Sequence, residues 1–368
     1  MINMDIIDFE ALKSPISEEN SSGNDPRSDT SPYSAYFTLK DVRNTARAAE
    51  RRALVDNEPL FNYSHQWHEI LEQVPLLLTT ECKDLELTAW FIEALVRNCG
   101  FRGLEIGFKT AAILIENFWD DVYPMPDEDG IETRIAPLVG LNGVEGEGTL
   151  LMPIACVPLT ENHGEQAYSL WEYEQALEID RLDAEKKKYR IDMGGVDLQA
   201  LEEEVKMSEP TFYRQLHQDI EAAIQAYSDL VKLMDDACGY PLPSSQITKR
   251  LQACLNAVTY LAEDKLKALP STDPIVDVNN SESQTDLSSV SGISVQLETR
   301  QEAIKNLKMI ADFFKKTEPH SPMAYAIEQV VRWSDMSLPD LLEELIVDGD
   351  ARKGYFRLVG IGSENNQS

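Results

Sequence analysis

Basic residues are scarce in this sequence. Against 64 Asp and Glu stand 33 Lys and Arg, which leaves a formal net charge of −31. A field of that size repels phosphate over the range set by salt screening, so broad binding of nucleic acid or of an anionic membrane surface is not expected. It fits plain solubility, or a selective protein partner guided by charge. Cysteine is also scarce. The five cysteines, Cys82, Cys99, Cys156, Cys238 and Cys254, are odd in number, widely spaced and without a CxxC pair. A disulfide framework is therefore not expected, and a reducing cytosol is. Cys99 and Cys254 fall in apolar helical patterns, where a cysteine serves as a small buried hydrophobe. Long apolar runs are missing too. No stretch approaches the ~18 apolar residues of a membrane-spanning helix. The first ten residues hold neither a basic segment nor an apolar one, so no secretory signal is read there. The expected location is cytoplasmic.

The motifs of common chemistries are missing as well. There is no GxSxG, no Walker A loop, no HExxH and no kinase set. The cluster Gly143-Val-Glu-Gly146-Glu-Gly148 is not GxGxxG, and its two glutamates oppose a phosphate. His65 and His68 could share a helical face, but zinc needs three or four ligands and nothing nearby completes the set. His163, His217 and His320 stand apart. Carboxylates are abundant without forming a recognisable acid–base pair. The expectation is no catalysis, no cofactor and no metal.

What is present is helical pattern. Hydrophobic residues make up 43% of the 368-residue chain and charged residues 26%, the proportions of an ordinary globular protein. That length suggests two or three domains at ~100–200 residues each. Residues 13–34 are rich in Ser, Asn, Asp, Gly and Pro and read as an irregular arm. A helix is expected from Leu39 to Arg52. Trp67, Ile70, Leu71, Val74 and Leu78 then recur at helical spacing. Asp84 is placed to cap a helix carrying Leu87, Phe91, Ala94 and Leu95 on one face, and Gly100 to stop it. Phe108, Ala111, Ala112, Ile115 and Trp119 make a third stripe, ended by Pro124 and Pro126. Residues 140–160 read as irregular chain or one or two edge strands. One long helix is expected over Tyr168–Tyr189 and a shorter one over Val196–Val205. Another opens at Ser208-Glu209-Pro210 and runs to Cys238, and a last one covers Ser245–Leu269.

Residues 270–294 hold no Lys or Arg and no helical period, which marks a linker. Beyond it, Ala303, Ile304, Leu307, Ile310, Ala311 and Phe314 follow helical spacing. Ser321-Pro322 starts a helix bearing Met323, Ile327, Val330 and Val331. Ser337 with Asp340 forms a capping box ahead of Leu338, Leu341, Leu342, Leu345 and Ile346. A unit of ~65 residues is near the size at which a lone core is marginal. Self-association is one remedy, and docking on the rest of the chain is another. The fold class is thus mainly α and multi-domain. The expected division is an N-terminal helical domain at 1–160, a middle helical segment at 161–269, a linker at 270–296 and a small helical domain at 297–368. Within the first, Arg43, Arg47 and Arg51 recur at i, i+4 on one face, with Arg52 beside them. They pair with acidic groups of their own domain, or form a docking stripe for an acidic partner.

Two segments carry a resemblance. Lys83–Leu95, then Gly100-Phe101-Arg102-Gly103-Leu104, Phe118–Pro124 and Arg134-Ile135-Ala136-Pro137-Leu138 resemble the N-terminal ImpA domain. Pro15-Ile16-Ser17 and Gly23-Asn24-Asp25 look like that domain's arm, although Pro26 follows where the family tends to have an apolar residue. Arg300–Ile304, Phe313–Pro322, Arg332-Trp333, Met336 and Leu341–Ile346 look like the C-terminal region of the shorter TssA proteins. The TssA (ImpA-type) resemblance implies a non-enzymatic part of the type VI secretion system. It implies partners in the baseplate, tube, sheath and membrane complex, coordination of tube and sheath polymerisation at the distal end of the tail, and a C-terminal domain that builds a homo-oligomeric ring. On that implication Glu318, Pro319, His320, Ser321, Trp333, Met336, Leu341 and Leu342 are the expected self-association residues. The corner Pro319-His320-Ser321-Pro322 suits a repeating contact that must close, while tryptophans such as Trp119 and Trp333 are more often core than interface residues. The alternative is a cytosolic helical adaptor or chaperone unrelated to secretion.

Overall fold

The computed structural model describes residues 6–267, except 32, 56, 57, 129, 145 and 164–166, together with 307, 308, 311, 314, 315, 322–334 and 336. The chain is mainly α, and among the described residues strands are replaced by isolated bridges such as Gly23 with Cys82. It divides into two compact units, Met1–Pro274 and Ile275–Ser368.

Local chemistry sets the helix ends of the first unit. Helix α1 (Phe9–Lys13) is capped by Asp8, and α2 spans Ala35–Val55, longer at both ends than the Leu39–Arg52 pattern. A 3₁₀ turn at Leu60–Trp67 leads into α3 (His68–Thr80). Asp84 does cap α4 (Leu85–Phe118), accepting from the Leu87 amide at 2.8 Å. Gly100 interrupts α4 with φ 58°, a backbone conformation that L side chains rarely adopt, so α4 has two limbs. The limbs press together at Gly103, where an added Cβ would lie 2.4 Å from the Leu95 carbonyl oxygen.

Helix α5 (Ile131–Asn142) was not legible, because Pro137 interrupts the pattern. The expected edge strands in 140–160 do not form. Apart from the end of α5, that stretch holds a short helix, α6 (Leu151–Ala155). Its Pro153 lies in the first turn, where the amide that proline lacks has no helical partner to lose. The single helix expected over Tyr168–Tyr189 is two, α7 (Leu170–Asp180) and α8 (Ala184–Asp192). Ser169 and Glu172 form a capping box on the first, and Asp183 accepts from the Lys186 amide to start the second. A side-chain acceptor that can start a new helix outcompetes continuation of the old one. Helix α9 (Leu198–Met207) is capped by Asp197. Helix α10 (Pro210–Cys238) opens on proline and ends at Gly239 with φ 79°. The last expected helix is α11 (Ser245–Leu261), followed after a break at Ala262 by α12 (Glu263–Lys267).

Helix α10 makes its most extensive packing contact with α4. Leu216, Ile220, Ala223, Tyr227, Leu230 and Met234 are buried there, and Phe212 is only half-buried because Tyr213 takes the inner place. The Phe108 and Tyr227 rings lie 4.9 Å apart. One apolar cluster runs from Ile7 to Ala262, across the boundary drawn at 160/161 from sequence. All five cysteines are free, with Cys254 buried and Cys99 half-buried. In the second unit, α13 (Pro322–Ser334) begins at the proline the pattern indicated. Val331 is buried, Ile327 half-buried and Val330 exposed.

Candidate functional site

The arm at residues 14–34 is irregular but tied down. The Lys83 amide donates to the Ser22 carbonyl at 2.8 Å, and the Tyr123 hydroxyl to the Gly23 carbonyl at 3.0 Å. Arg27 reaches Asp84 and Glu86, each at 2.7 Å, and lies over the Tyr36 ring. Burial opposes the charge on Arg27, but Asp84 and Glu86 outweigh it and raise its pKa. Burial pushes the Asp84 carboxyl up, opposed by Arg27. The arm thus neutralises the buried cap of α4. Arg134 does the corresponding work at the other end of that helix, donating to the carbonyls of Trp119 and Asp120.

Lys83 is fully buried. Its ammonium donates to the carbonyls of Leu12 at 2.8 Å and Leu78 at 3.0 Å, pinning α1 to the end of α3. Burial pushes it down from 10.5 to about 8. The unfolded chain therefore binds more protons between those values, and this group's contribution to stability rises with pH from about 8 to 10.5. Nitrogen-detected NMR of the lysine ammonium groups should show Lys83 titrating near 8, and a midpoint at 10.5 would contradict the burial effect.

The arginine stripe divides. Arg43 turns inward onto Glu93, whose side chain is fully buried, and lies over Trp90. Arg97, from α4, pairs with Glu50 at 2.5 and 2.9 Å. The Trp67 indole N–H donates to the same carboxylate, and the Arg97 guanidinium lies 4.1 Å from the Trp67 ring centre. Arg47 is half-buried beside these pairs and Arg51 is exposed. Neither makes a hydrogen bond or ion pair with a described residue. Burial lowers the pKa of Arg47, Glu93 opposing and Arg43, Arg97 and Arg51 adding to the effect.

A second basic cluster was missed in the sequence although its signal is plain there. Arg181, Lys186, Lys187, Lys188 and Arg190 lie on and just before α8, a helix without a buried residue. Lys186 pairs with Asp183 and Lys187 with Asp180, while Lys188, Tyr189 and Arg190 face solvent. The histidine pair does not share a role: His65 Nδ1 lies 3.1 Å from the Asn62 carbonyl, and His68 opens α3. Among the described residues no group of three or more His, Cys, Asp or Glu could hold a metal, and no helix is long and apolar enough to cross a membrane. Of the expected self-association residues, Trp333 and Met336 are half-buried, the Met336 amide donating to the Trp333 carbonyl at 3.2 Å. Glu318, Pro319, His320, Ser321, Leu341 and Leu342 lie outside the described residues, as does the linker at 270–296.

Residues 13–143 match the family model described as ImpA, N-terminal, type VI secretion system. No curated protein matches the chain. A similar solved structure is the N-terminal domain, including the conserved ImpA_N region, of the TssA component of the type VI secretion system from Burkholderia cenocepacia. The TM-score is 0.59 at 23% identity, covering 72% of this chain and 96% of that one, a likeness of fold. The matched span holds the tethered arm, the Asp84 cap, the bent α4 and the Arg134 clasp. Residues 13–143 therefore carry an ImpA N-terminal domain, the domain described for the type VI secretion system, and the fold around it is similar to that of a TssA N-terminal domain.

Proposed function

We propose that this protein is a non-enzymatic assembly component acting in the cytoplasm. It binds the baseplate and membrane complex, then the distal end of the tail, and coordinates tube and sheath polymerisation. The observation that carries this reading is the ImpA match over residues 13–143, whose arm, cap and clasp are all built in the structure. The proposal includes a homo-oligomeric ring formed through the C-terminal domain at 297–368. Glu318, Pro319, His320, Ser321, Trp333, Met336, Leu341 and Leu342 contribute to its contact, and the linker at 270–296 lets ring and N-terminal domain move independently. Light scattering on the full-length protein is expected to give a mass that is a multiple of 41.5 kDa, and Trp333→Asp with Leu341→Asp is expected to reduce it to one subunit. A monomeric wild type would overturn the ring. In the strain lacking the gene, tube protein is expected to vanish from the medium. Undiminished secretion would favour a helical adaptor unrelated to the apparatus.

A further inference from the structure

Arg43 and Arg97 are satisfied from within, by Glu93 and by Glu50 with Trp67. Arg47 and Arg51, on the same helix as Arg43, make no hydrogen bond or ion pair with a described residue. Both line a cleft of about 180 Å³ between α2 and residues 147–153. Among the described residues its charged lining is Arg47, Arg51 and Arg97 against Glu50 and Glu147. The Arg97–Glu50 pair cancels, which leaves Arg47 and Arg51 against Glu147 alone among the described lining residues, in a protein of net charge −31. Thr149 borders the cleft, and its hydroxyl oxygen is buried without a hydrogen-bond partner.

The cleft does not end there. Leu54, Leu60 and Met152 line it and also line a larger neighbouring cavity of about 580 Å³. That cavity continues over Phe61, Pro158 and Trp171, with Glu58 and Glu172 also in its lining. Trp171 is 37% exposed there. The arrangement is a cleft bearing Arg47 and Arg51 that leads into a cavity of mixed lining, where Leu60, Met152 and Trp171 stand beside Glu58, Glu172 and Gln175.

We propose that this groove is a docking site for a short peptide segment of a partner protein, in which one or two Asp or Glu carboxylates precede apolar side chains. Arg47 and Arg51 receive the carboxylate, while the apolar side chains enter between Met152 and Trp171. A half-buried guanidinium that has lost water without gaining a partner is relieved by such a carboxylate. Charge separates a peptide from the extended anions. A nucleic acid or an anionic membrane would meet the acidic surface beyond the groove, whereas a short segment senses the local field, within about 8 Å at physiological salt. That the partner belongs to the secretion apparatus rests on the function proposed above; the chemistry of the groove does not.

The test selects a phage-displayed library of random peptides on the full-length protein. Enriched sequences are expected to pair Asp or Glu with following Leu, Ile, Phe or Met. Their affinity should fall about tenfold or more for Arg47→Glu with Arg51→Glu. It should stay within about threefold for Lys188→Glu with Arg190→Glu, which changes net charge equally at exposed residues that line neither cavity. Arg47→Gln with Arg51→Gln gives an intermediate loss should the reversal disturb folding, which a thermal melt reports. Peptides without acidic residues, or peptides that bind both reversal variants alike, would overturn the proposal. So would a failure to enrich peptides while phosphatidylserine vesicles or an oligonucleotide bind through Arg47 and Arg51. Because the selection needs no secretion, its failure is distinct from a failure of the proposed function, which normal secretion by the deletion strain would reveal.

Discussion

Arg97→Ala is expected to destabilise the first unit by about 3–5 kcal/mol, a large part of the ~5–15 kcal/mol that holds a typical domain together. The reason is the Glu50 carboxylate left behind. Both side chains of the pair are almost fully buried, and Glu50 is held by the Arg97 guanidinium and the Trp67 indole N–H. Without Arg97 only the indole remains, and a buried charge without a counter-ion costs its full desolvation. Arg97 also donates to the Glu93 carbonyl at 2.6 Å, so α4 loses an internal tie as well. The pair itself need not be strongly stabilising. Replacing both partners, Glu50→Gln with Arg97→Met, should recover much of the loss, because the unpaired charge is gone. Urea unfolding followed by tryptophan fluorescence measures both variants. A loss below about 1 kcal/mol for Arg97→Ala would mean that water reaches Glu50.

Phe108→Ala should cost about 3–5 kcal/mol, through lost burial and the cavity left between α4 and α10. Phe108 is fully buried in the second limb of α4, and its ring meets that of Tyr227 on α10. The effect should appear in a single unfolding transition covering residues on both sides of position 160, since one apolar cluster spans them. Hydrogen exchange resolves this. Amides of α3 and of α10 are expected to lose protection together. Loss confined to α3 and α4, with α10 unchanged, would instead mark 1–160 and 161–269 as independently folding domains.

These two positions show how far the sequence could be read. Helical spacing and caps are local properties, so the Asp84 cap and the Pro210 start were both visible. The break at Asp183 was local too, but a helical pattern on either side masked it. The site is different. Spacing placed Arg43, Arg47 and Arg51 on one face, yet their fates are decided by Glu93 on α4 and by Glu50, drawn inward to Arg97. No spacing rule reveals a partner fifty residues away. The basic run at 186–190 needed no structure to be noticed. The resemblance pointed to Arg134 without a reason, and the structure supplies one, the carbonyls that α4 leaves unpaired at its end.

The proposed role is most directly tested by live imaging of a fluorescent sheath protein in cells with and without this gene. Wild-type cells should show sheaths that extend across the cell with this protein, fluorescently tagged, at the growing tip. Deletion cells should show few or short sheaths, restored by the full-length chain. Sheaths of normal number and length in the deletion strain, or a tagged protein that never meets a sheath, would contradict it.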